Sequence, residues 1–463
     1  MIIFVVIASS TAILPVEARQ GHQSSATMWS RTYVLISRSN TVTLSPAATI
    51  ALTQDGGVIV AGSGGFVVAG SALDGPSVWV IKTNPRGVPE WERNYYLTGY
   101  RYTMSIGNVL QTRDGGYLLE GEVYSVRGPQ CELFVCLNPW LIRLDHKGDV
   151  MWTQLYNTGS FSFVEQTTDG GYIAAGNFGS INGSSSNGWI LKMDQRGSIV
   201  WQETFEGQDV YSVDQTRDGG FVVSGTVCVC GPTSTSAAAW VFKLDQNGKV
   251  VWEKAYLVSG RSDAYSVKQT QEGGYIVAGH SSLGALILKL DRTGNVVWQK
   301  SYSGSGFTAG SISETSDGGS ILVGQAGLQG TFLLRLDGQG NEIWLKTYGA
   351  NGFIGEVQET RQGDIIAAGS FPIIAGTYCC GEAAWVLKLD STGNAEGCQL
   401  ADPSNATLTD TNAEVTSTTV AAVSTNASAR STSLTTNMLQ ASLQTQCPSM
   451  GDTNLERDDL RRR

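Results

Sequence analysis

One carboxylate breaks a pattern that the rest of the chain follows. The residue before a strand-ending glycine is small or aliphatic in the other repeats, as at Ala175 and Ala278, but it is Glu120 in the second repeat. A carboxylate at a packing position costs free energy unless it is paired or near water, and such exceptions are often functional. Glu122 and Glu132 extend this candidate binding site. The structural alternative is that Glu120 meets a nearby arginine or a backbone donor.

Further acids precede the repeated Asp-Gly-Gly turns. Glu165 and Asp214 are the main ligand-binding candidates, and Glu314 and Glu356 hold similar positions in later repeats. If the repeats surround a channel, we expect these side chains to face it. Two carboxylates at a set separation are also what hydrolysis of a glycosidic bond requires. The alternative is that these acids only hydrate the channel.

The chain has eight cysteines, and six of them lie in three long connections between repeat strands. An even number in an exported chain indicates disulfides, and the simplest pairing is within each connection plus one pair that flanks the tail. A metal cluster and free thiols are the alternatives. Because zinc sites favour gaps of roughly two to four residues and four converging ligands, we predict no metal. The predicted pairs are Cys131 with Cys136, Cys228 with Cys230, Cys379 with Cys380, and Cys398 with Cys447.

An internal repeat determines which elements position these residues. An Asp-Gly-Gly turn occurs five times, with variant copies at Glu272 and at Gly363-Asp364 that make seven. An aromatic or apolar position five residues before an Asp or Asn also occurs seven times, but a later Trp-x-x-x-aromatic segment occurs six times. The missing copy is Trp29 to Tyr33, near the start of the chain. Pairing of this segment with the strand of Trp385 would close a ring and leave no sheet edge unpaired. The sequence therefore predicts an all-β, closed seven-bladed β-propeller with four-stranded blades over residues 29–398.

Each repeat offers four short strands that are rich in Val, Ile, Tyr and Trp and bounded by turn residues. The repeated tryptophans are expected to pack between neighbouring blades. In the first repeat, residues 56–62 are nearly duplicated by residues 64–70, and either copy fits the second strand. The strands predicted for the fifth repeat are 264–270, 275–279, 286–291 and 296–302.

The connections of the predicted blades differ between the two faces of the ring. The tight turns fall on one face, and the connections between second and third strands fall on the other. The latter vary from short, after Gly279, to long, after Gly121. Because function usually lies on loops held by a rigid scaffold, the face with the variable connections is the predicted binding face.

Charge and the two chain ends restrict the function further. The 463 residues include 41 acidic and 31 basic side chains, for a net charge of −10, which argues against a nucleic-acid partner.

Residues 1–18 are predicted to be a signal peptide, although no Lys or Arg precedes the apolar run; retention as an anchor is the alternative. Residues 399–463 are rich in Ser, Thr, Ala and Asn and lack aromatic residues, which predicts a disordered tail. We expect an exported protein, extracellular or at the cell surface, with no stable membrane span after signal cleavage.

The repeat resembles a known family. The segment 243–252, KLDQNGKVVW, is similar to the repeat of quinoprotein-type, PQQ-like propellers, and the Asp-Gly-Gly-Tyr-Ile-Val-Ala-Gly unit resembles tandem repeats of exported bacterial and archaeal propellers. The resemblance covers about residues 29–390 and implies the propeller fold. Quinoprotein dehydrogenases usually have eight blades, a bound metal and a vicinal disulfide, which Cys379-Cys380 matches only superficially. With seven repeats and no accompanying set of metal ligands, we predict no cofactor.

Three functions fit these observations. The leading hypothesis is a secreted or cell-surface binding scaffold that engages a protein or a glycan through its cysteine-bearing face. The second is a hydrolase or lyase that uses channel or loop carboxylates, with carbohydrate as one candidate substrate. The third is a structural module without a ligand of its own. Because only three histidines and no nucleophile elbow, zinc-protease helix or phosphate loop occur, no catalytic residue is predicted.

Overall fold

The computed structural model describes most of the region between residues 28 and 395 and seven short segments of the tail. Predictions that fall on other residues, including the signal peptide, lie outside the described part. The described ranges are 28–34, 43–65, 77–97, 102–126, 135–156, 159–178, 187–206, 208–231, 234–303, 307–327, 330–348, 353–375, 378–395, 401–403, 407–410, 414–417, 422–423, 429–431, 434–438 and 442–444.

The first 28 strands build the ring. They are β1 Trp29–Val34, β2 Thr43–Leu52, β3 Val58–Gly65, β4 Ser77–Thr83, β5 Pro89–Leu97, β6 Tyr102–Gln111, β7 Tyr117–Val126, β8 Val135–Leu144, β9 Val150–Tyr156, β10 Ser160–Gln166, β11 Tyr172–Phe178, β12 Asn187–Met193, β13 Ile199–Phe205, β14 Asp209–Gln215, β15 Phe221–Gly231, β16 Ser234–Leu244, β17 Val250–Leu257, β18 Ser262–Gln269, β19 Tyr275–Ser281, β20 Gly284–Leu290, β21 Val296–Ser303, β22 Phe307–Glu314, β23 Ser320–Ala326, β24 Thr331–Leu336, β25 Glu342–Tyr348, β26 Phe353–Glu359, β27 Ile365–Ala375 and β28 Tyr378–Leu389.

These strands form seven antiparallel blades around a central channel. Blades 1 to 6 each take four consecutive strands, from β2–β5 to β22–β25, and blade 7 combines β26–β28 with β1. The innermost strand of each blade contacts its neighbours, and β2 of blade 1 also contacts β26, β27 and β28 of blade 7. The ring is therefore closed, and the predicted seven-bladed propeller is confirmed.

The N-terminal strand completes the last blade, as the landmark count predicts. Strand β1 pairs antiparallel with β28, and this pairing places Trp29 opposite Lys388 and Thr32 opposite Trp385. Tyr33 lies opposite Ala384 in the same ladder. The two ends of the propeller sequence thus share one sheet.

Each Asp-Gly-Gly turn is held by its own aspartate. In blade 3, Asp169 accepts hydrogen bonds from the Thr167 hydroxyl (2.5 Å) and the Gly171 amide (2.9 Å), while Gly170 has a φ of +82° that favours glycine. The Nζ atom of Lys192, on the third strand, lies 2.8 Å from Asp169. Partial burial opposes ionisation of Asp169, but the bonds from Lys192 and Thr167 outweigh it and lower its pKa to about 2. Equivalent ion pairs occur in the other six blades.

Outer-strand aromatics join each blade to the next. The ring of Trp201 packs over Gly248 in the following blade, where a Cβ atom would lie 2.9 Å from the indole. The Tyr256 hydroxyl donates a 2.5 Å hydrogen bond to the Gly294 carbonyl of blade 5. The third-strand residue Trp240 is fully buried. The prediction that both repeated aromatic positions pack between blades is confirmed.

Strand bounds agree with the sequence in the regular blades and differ in three others. The four strands of blade 5 match the predicted ranges within two residues at most ends. In blade 1 the first duplicate is used, because β3 begins at Val58. In blades 2, 4 and 7 the second and third strands extend over 10 to 12 residues. Much of what the sequence analysis takes as long loop is therefore extended hairpin, because β-branched residues continue the ladder outward.

The described tail segments form a second ring of strands, which we call the belt. The sequence analysis predicts a disordered tail, whereas the described segments are short paired strands. Outer strands leave N–H and C=O groups unpaired, and a Thr- and Ser-rich chain can satisfy them by backbone pairing without burying apolar surface. The belt strands are β29 Ala401–Pro403, β30 Thr407–Asp410, β31 Glu414–Ser417, β32 Ala422–Val423, β33 Ala429–Ser431, β34 Leu434–Met438 and β35 Ser442–Gln444.

The belt follows the blades in reverse order. Its first strand pairs with β25 of blade 6, the next ones pair with blades 5 to 1 in turn, and β35 pairs with β1 in blade 7. Each described pairing is antiparallel and involves the later residues of the outer strand, as in Lys254↔Ser417 to Leu257↔Glu414. The belt therefore adds a fifth strand to every blade.

Candidate functional site

The channel wall consists of the seven innermost strands, and each of them contains a β-bulge. In blades 4 and 5 the ladder skips one residue at Tyr211 and at Tyr265. Blades 2, 3, 6 and 7 have Gly107, Ser162, Gly310 and Gly355 at the equivalent positions. A bulge re-aims the side chain of its extra residue. Each innermost strand begins at the face with the variable connections, the loop face, and ends at the Asp-Gly-Gly turn, on the turn face.

A cluster of charges spans the channel near the turn face. Lys268 of blade 5 has its Nζ atom 2.8 Å from Asp214 Oδ1 in blade 4 and 3.4 Å from Glu165 Oε2 in blade 3. The same Nζ atom lies 4.8 Å from the centroid of the Phe163 ring. Because Lys268 reaches a blade two positions away, its side chain crosses the channel. We call Phe163, Glu165, Asp214 and Lys268 the channel cluster.

The two carboxylates of this cluster also hold the backbone of the next blade. Glu165 accepts a 2.8 Å hydrogen bond from the Gln215 amide, and Asp214 accepts one of 2.8 Å from the Gln269 amide. Burial raises the pKa of Glu165 to about 7, against the opposing effect of Lys268. For Lys268, the attraction of both acids outweighs burial and raises its pKa. The two carboxylates thus bind Lys268 and backbone amides of the neighbouring blades. The channel cluster therefore holds blades 3, 4 and 5 together.

Glu356 lies at the seam where blade 7 meets blade 1. Its Oε1 atom accepts a 2.9 Å hydrogen bond from the Thr49 hydroxyl, and its Oε2 atom lies 3.4 Å from the Ile50 amide. Burial raises the pKa of Glu356 to about 7, and these two donors and the more distant Lys268 only partly counter it. The carboxyl of Glu356 therefore ties the last blade to the first.

The other six blade boundaries use a different bond. The last residue of each innermost strand accepts a hydrogen bond from a turn amide of the preceding blade, as when Gln269 accepts from the Arg217 amide at 2.9 Å. At the seam this position is Leu52, which has no acceptor in its side chain. The equivalent acceptors at the remaining five boundaries are Gln111, Gln166, Gln215, Glu314 and Glu359.

A second group of polar and aromatic residues lies nearer the loop face, in blades 4 and 5. The rings of Tyr211 and Tyr265 meet edge to face with centroids 5.4 Å apart. Asp263, which is 1 % exposed, accepts from Arg261 at 2.9 and 3.1 Å and from the Thr226 hydroxyl at 2.7 Å. We call these five residues the mouth cluster.

The mouth cluster has a sequence motif that the sequence analysis missed. The motif is Asp-x-Tyr-Ser-Val, at residues 209–213 and 263–267, and among the innermost strands it occurs only in these two adjacent blades. The motif could have been found in the sequence, because it departs from the consensus of the repeat. The direction of its tyrosine side chains depends on the bulge, which the alternation of apolar and polar residues does not predict.

Glu120, the first sequence candidate, is buried rather than presented to a ligand. It is 2 % exposed, and its two oxygens have no hydrogen-bond partner among the described residues. Burial, reinforced by the charge of Glu122, raises the pKa of Glu120 well above its usual value. A Cβ atom on Gly107 would lie 2.6 Å from Glu120 Oε2. The acid therefore lies directly behind the channel wall, and the expected arginine partner is absent from the described residues.

The other predicted site residues are not brought together with Glu120. Glu122 is half-buried on β7, opposite Ser105 and Pro139, whereas Glu165 and Asp214 meet in the channel. Glu132 lies outside the described residues, as do Cys131, Cys398 and Cys447. The remaining cysteines lie on the strands of the extended hairpins, and their pairing stays a prediction: Cys136, Cys228, Cys230, Cys379 and Cys380.

Two further observations concern the part of the chain that the structure describes. No three His, Cys, Asp or Glu side chains within it come together as a metal site would need. It also holds no helix with the length and hydrophobicity required to cross a bilayer.

Comparisons with known proteins give fold-level similarity alone. No protein-family model matches the chain, and no curated protein sequence matches it. A solved structure of a protein of unknown function from Bacteroides caccae is 14 % identical, with a TM-score of 0.37, over 65 % of this chain and 94 % of that one. A subtype N11 neuraminidase-like protein of A/flat-faced bat/Peru/033/2010 (H18N11) is 13 % identical, with a TM-score of 0.40, over 61 % and 87 %.

A structure titled as the eukaryotic initiation factor is 10 % identical, with a TM-score of 0.37, over 80 % of this chain and 100 % of that one. At these identities and TM-scores, none of the three similarities carries a functional argument.

Proposed function

We propose that this protein is an exported binding scaffold that holds its ligand, a protein or a glycan, at the loop-face end of the channel. The mouth cluster is the observation that carries the proposal. Its two tyrosines stand at bulge positions where blades 2, 3, 6 and 7 have glycine or serine. A rigid ring that places a few aromatic and polar groups at a concave opening is a common form of ligand site.

The position of the extended hairpins supports the same end of the channel. Strands β15 and β16 of blade 4 continue beyond the regular blade on the loop face, next to Tyr211 on β14. The turn face, by contrast, repeats the same turns and ion pairs in every blade. Variation on one face above a constant opposite face is what a scaffold with a specific ligand requires.

The test compares two surfaces of the intact protein. A double variant, Tyr211→Ala with Tyr265→Ala, removes the aromatic part of the mouth cluster. The control, Met151→Ala with Val297→Ala, removes side chains that are 58 % and 61 % exposed on outer strands near the turn face. Both variants are immobilised beside the wild type and probed with a glycan array and with extracellular proteins from the source organism. We expect the mouth variant alone to lose ligand, and equal capture by all three proteins would refute the proposal.

Catalysis by channel carboxylates is the second candidate function. It is favoured by Glu165 and Glu356, because burial raises the pKa of each to about 7, which suits proton transfer near neutral pH. Both carboxyls already bind protein donors, however, so we rank binding above catalysis. Release of reducing sugar from oligosaccharides by the wild type, lost in Glu356→Gln and Glu165→Gln, would reverse this order.

Export and ancestry complete the proposal. The apolar segment at the start of residues 1–18 supports export, and sequencing of the N-terminus of the mature protein tests it. The similarity of the repeat to PQQ-like propellers supports a common repeat ancestry. It gives no reason to expect quinone chemistry, because the ring has seven blades.

A further inference from the structure

The two Asp-x-Tyr-Ser-Val segments make blades 4 and 5 unlike the rest of the ring. At the bulge position blades 2, 3, 6 and 7 carry glycine or serine, and residues 45–47 of blade 1 include no aromatic residue, so blades 4 and 5 alone contribute aromatic residues at this position. The other blades keep the common repeat pattern, so they show which residues a blade needs for ring packing alone. A departure limited to two adjacent blades, and to the residues at one end of the channel, points to a local site rather than to ring packing.

The geometry of the tyrosine pair leaves ring surface available. Tyr211 and Tyr265 are both half-buried, and their planes meet at 64° with centroids 5.4 Å apart. In an edge-to-face pair, the ring that contributes its edge keeps both of its faces outside the contact. The two rings are therefore in contact with each other and do not form an open cage around a third group.

The polar groups beside the rings are held in place: Arg261 pairs with Asp263, and the carboxylate of Asp209, in the same motif, lies close enough to act on Tyr211. Arg261 is 62 % exposed at its side chain and binds Asp263 through Nε and Nη2, so the Nη1 group and the second Nη2 hydrogen point away from this pair. Asp263 is held from behind by Thr226 at 2.7 Å. The Nδ1 atom of His280, which is 31 % exposed, lies 3.9 Å from Asp263 Oδ2.

From this arrangement, and on the basis of the proposed function above, we infer that the mouth cluster is a subsite for a neutral saccharide. The C–H face of a pyranose ring stacks on the uncovered face of a half-buried aromatic ring, and adjacent sugar hydroxyls match the remaining guanidinium donors of Arg261 and the ring nitrogens of His280. Because Arg261 is paired with Asp263, it does not offer the unpaired positive charge that an anionic ligand would need. The contact between the two tyrosines removes the gap that an aromatic cage for an ammonium group would need.

A protein partner fits this opening less well. Interface hot spots are enriched in Trp, Tyr and Arg, but they lie at the centre of a larger packed patch that excludes water. Among the described residues, the exposed large aliphatic side chains lie mostly at the turn-face ends of outer strands, and Leu283, 42 % exposed, is the one beside the mouth cluster. A polar opening with two half-buried rings suits a sugar better than a polypeptide.

The experiment uses the full chain and defined probes. Binding of maltohexaose, cellohexaose, mannohexaose, xylohexaose and N-acetylchitohexaose is measured by saturation-transfer NMR and calorimetry, with sialyllactose and spermine as charged comparisons. We expect at least one neutral hexasaccharide to bind and the charged probes not to bind. Tyr265→Ala should weaken that binding by about tenfold or more, whereas Tyr265→Phe, which keeps the ring, should retain most of it.

Two controls keep the inference open to refutation. Met151→Ala should bind like the wild type, and Arg261→Lys, which keeps the charge but not the fork of donors, should bind the same sugar more weakly. Failure of every neutral saccharide to bind the folded wild type would overturn the inference, as would unchanged binding by Tyr265→Ala. If no sugar binds but the double tyrosine variant loses a protein ligand, the saccharide inference fails and the proposed function stands. If that variant loses nothing, both fail.

Discussion

Replacement of Glu356 by glutamine tests how the ring is fastened at its seam. The Glu356 carboxyl accepts hydrogen bonds from Thr49 and from the backbone at Ile50, so it joins the last blade to the first. Burial raises its pKa from 4.5 to about 7. Glutamine has nearly the same shape and can still accept from Thr49, but it cannot ionise. The substitution therefore removes the titration while it preserves most of the contact.

The sign and size of the effect follow from this pKa. Because the folded protein holds the proton more tightly than the unfolded chain, Glu356 favours folding most at low pH. Its contribution to the free energy of unfolding falls as the pH rises from about 4.5 to 7 and is constant above that. At about 1.36 kcal/mol for each pH unit, the change amounts to at most about 3 kcal/mol. Relative to wild type, Glu356→Gln should gain that amount between pH 4.5 and 8.

Denaturant unfolding of both proteins between pH 4.5 and 8, monitored by tryptophan fluorescence, measures the difference. For a chain of this length, about 3 kcal/mol also corresponds to roughly 4 °C in Tm. Glu359→Gln is the matched control, since it changes the same residue type on the same strand but at the boundary with blade 6, where Glu359 accepts from the Ser316 amide. Wild-type and Glu356→Gln curves that stay parallel across this pH range would refute the reasoning about the seam.

Three further predictions concern ring closure, the belt and the buried acid. Trp29→Ala should lower the free energy of unfolding by about 3–5 kcal/mol, because Trp29 belongs to the closing sheet; an unchanged denaturation midpoint would contradict this. Removal of residues 399–463 should reduce hydrogen-exchange protection in outer strands, as at 254–257, and leave innermost strands protected; equal protection would argue against the belt. Glu120→Leu should stabilise the protein by about 1–3 kcal/mol, since it removes an unsatisfied buried acid, with Glu120→Gln as the control; a loss of stability would show that the carboxyl has a partner.

The repeat allows the fold to be predicted from the sequence. Glycine at the left-handed position of each turn and tryptophan at each interblade contact are local requirements that recur in every unit, so their spacing reports the blades directly. The copy at Trp29 could be recognised as the missing strand because the count of landmarks was one short in the last repeat. The confirmed pairing of Trp29 with Lys388 follows from that count.

Contacts between side chains of different innermost strands are harder to predict from the sequence. Lys268 meets Glu165 over a sequence separation of 103 residues, and nothing local in either strand specifies this contact. It arises because ring closure brings the innermost strands to a common axis. The same holds for Glu120, whose departure from the pattern is visible in the sequence, while the missing partner is a property of the packed blades. For the mouth cluster, the two tyrosines gain their direction from backbone bulges.

The belt escapes sequence analysis for a different reason. Apolar periodicity detects segments that fold by burying side chains, and residues 399–463 have little of it. Backbone pairing with an existing edge needs only extended conformation and matching ladder groups, which Ser and Thr provide without a recognisable period. The prediction of disorder applies to the tail as an isolated chain. Its described segments instead form strands by pairing with the propeller.

The sheet that contains β26, β27, β28, β1 and β35 draws on three separate stretches of the chain: its beginning, the end of the repeats and the last belt segment. During synthesis, the four ring strands of blades 1 to 6 can each form from contiguous sequence as it leaves the ribosome, but this sheet must wait for β28 to join β1. Contacts across such long separations are slow to form. A nascent chain would therefore carry an incomplete ring until β28 has left the ribosome, and this interval is when a chaperone would have most to recognise.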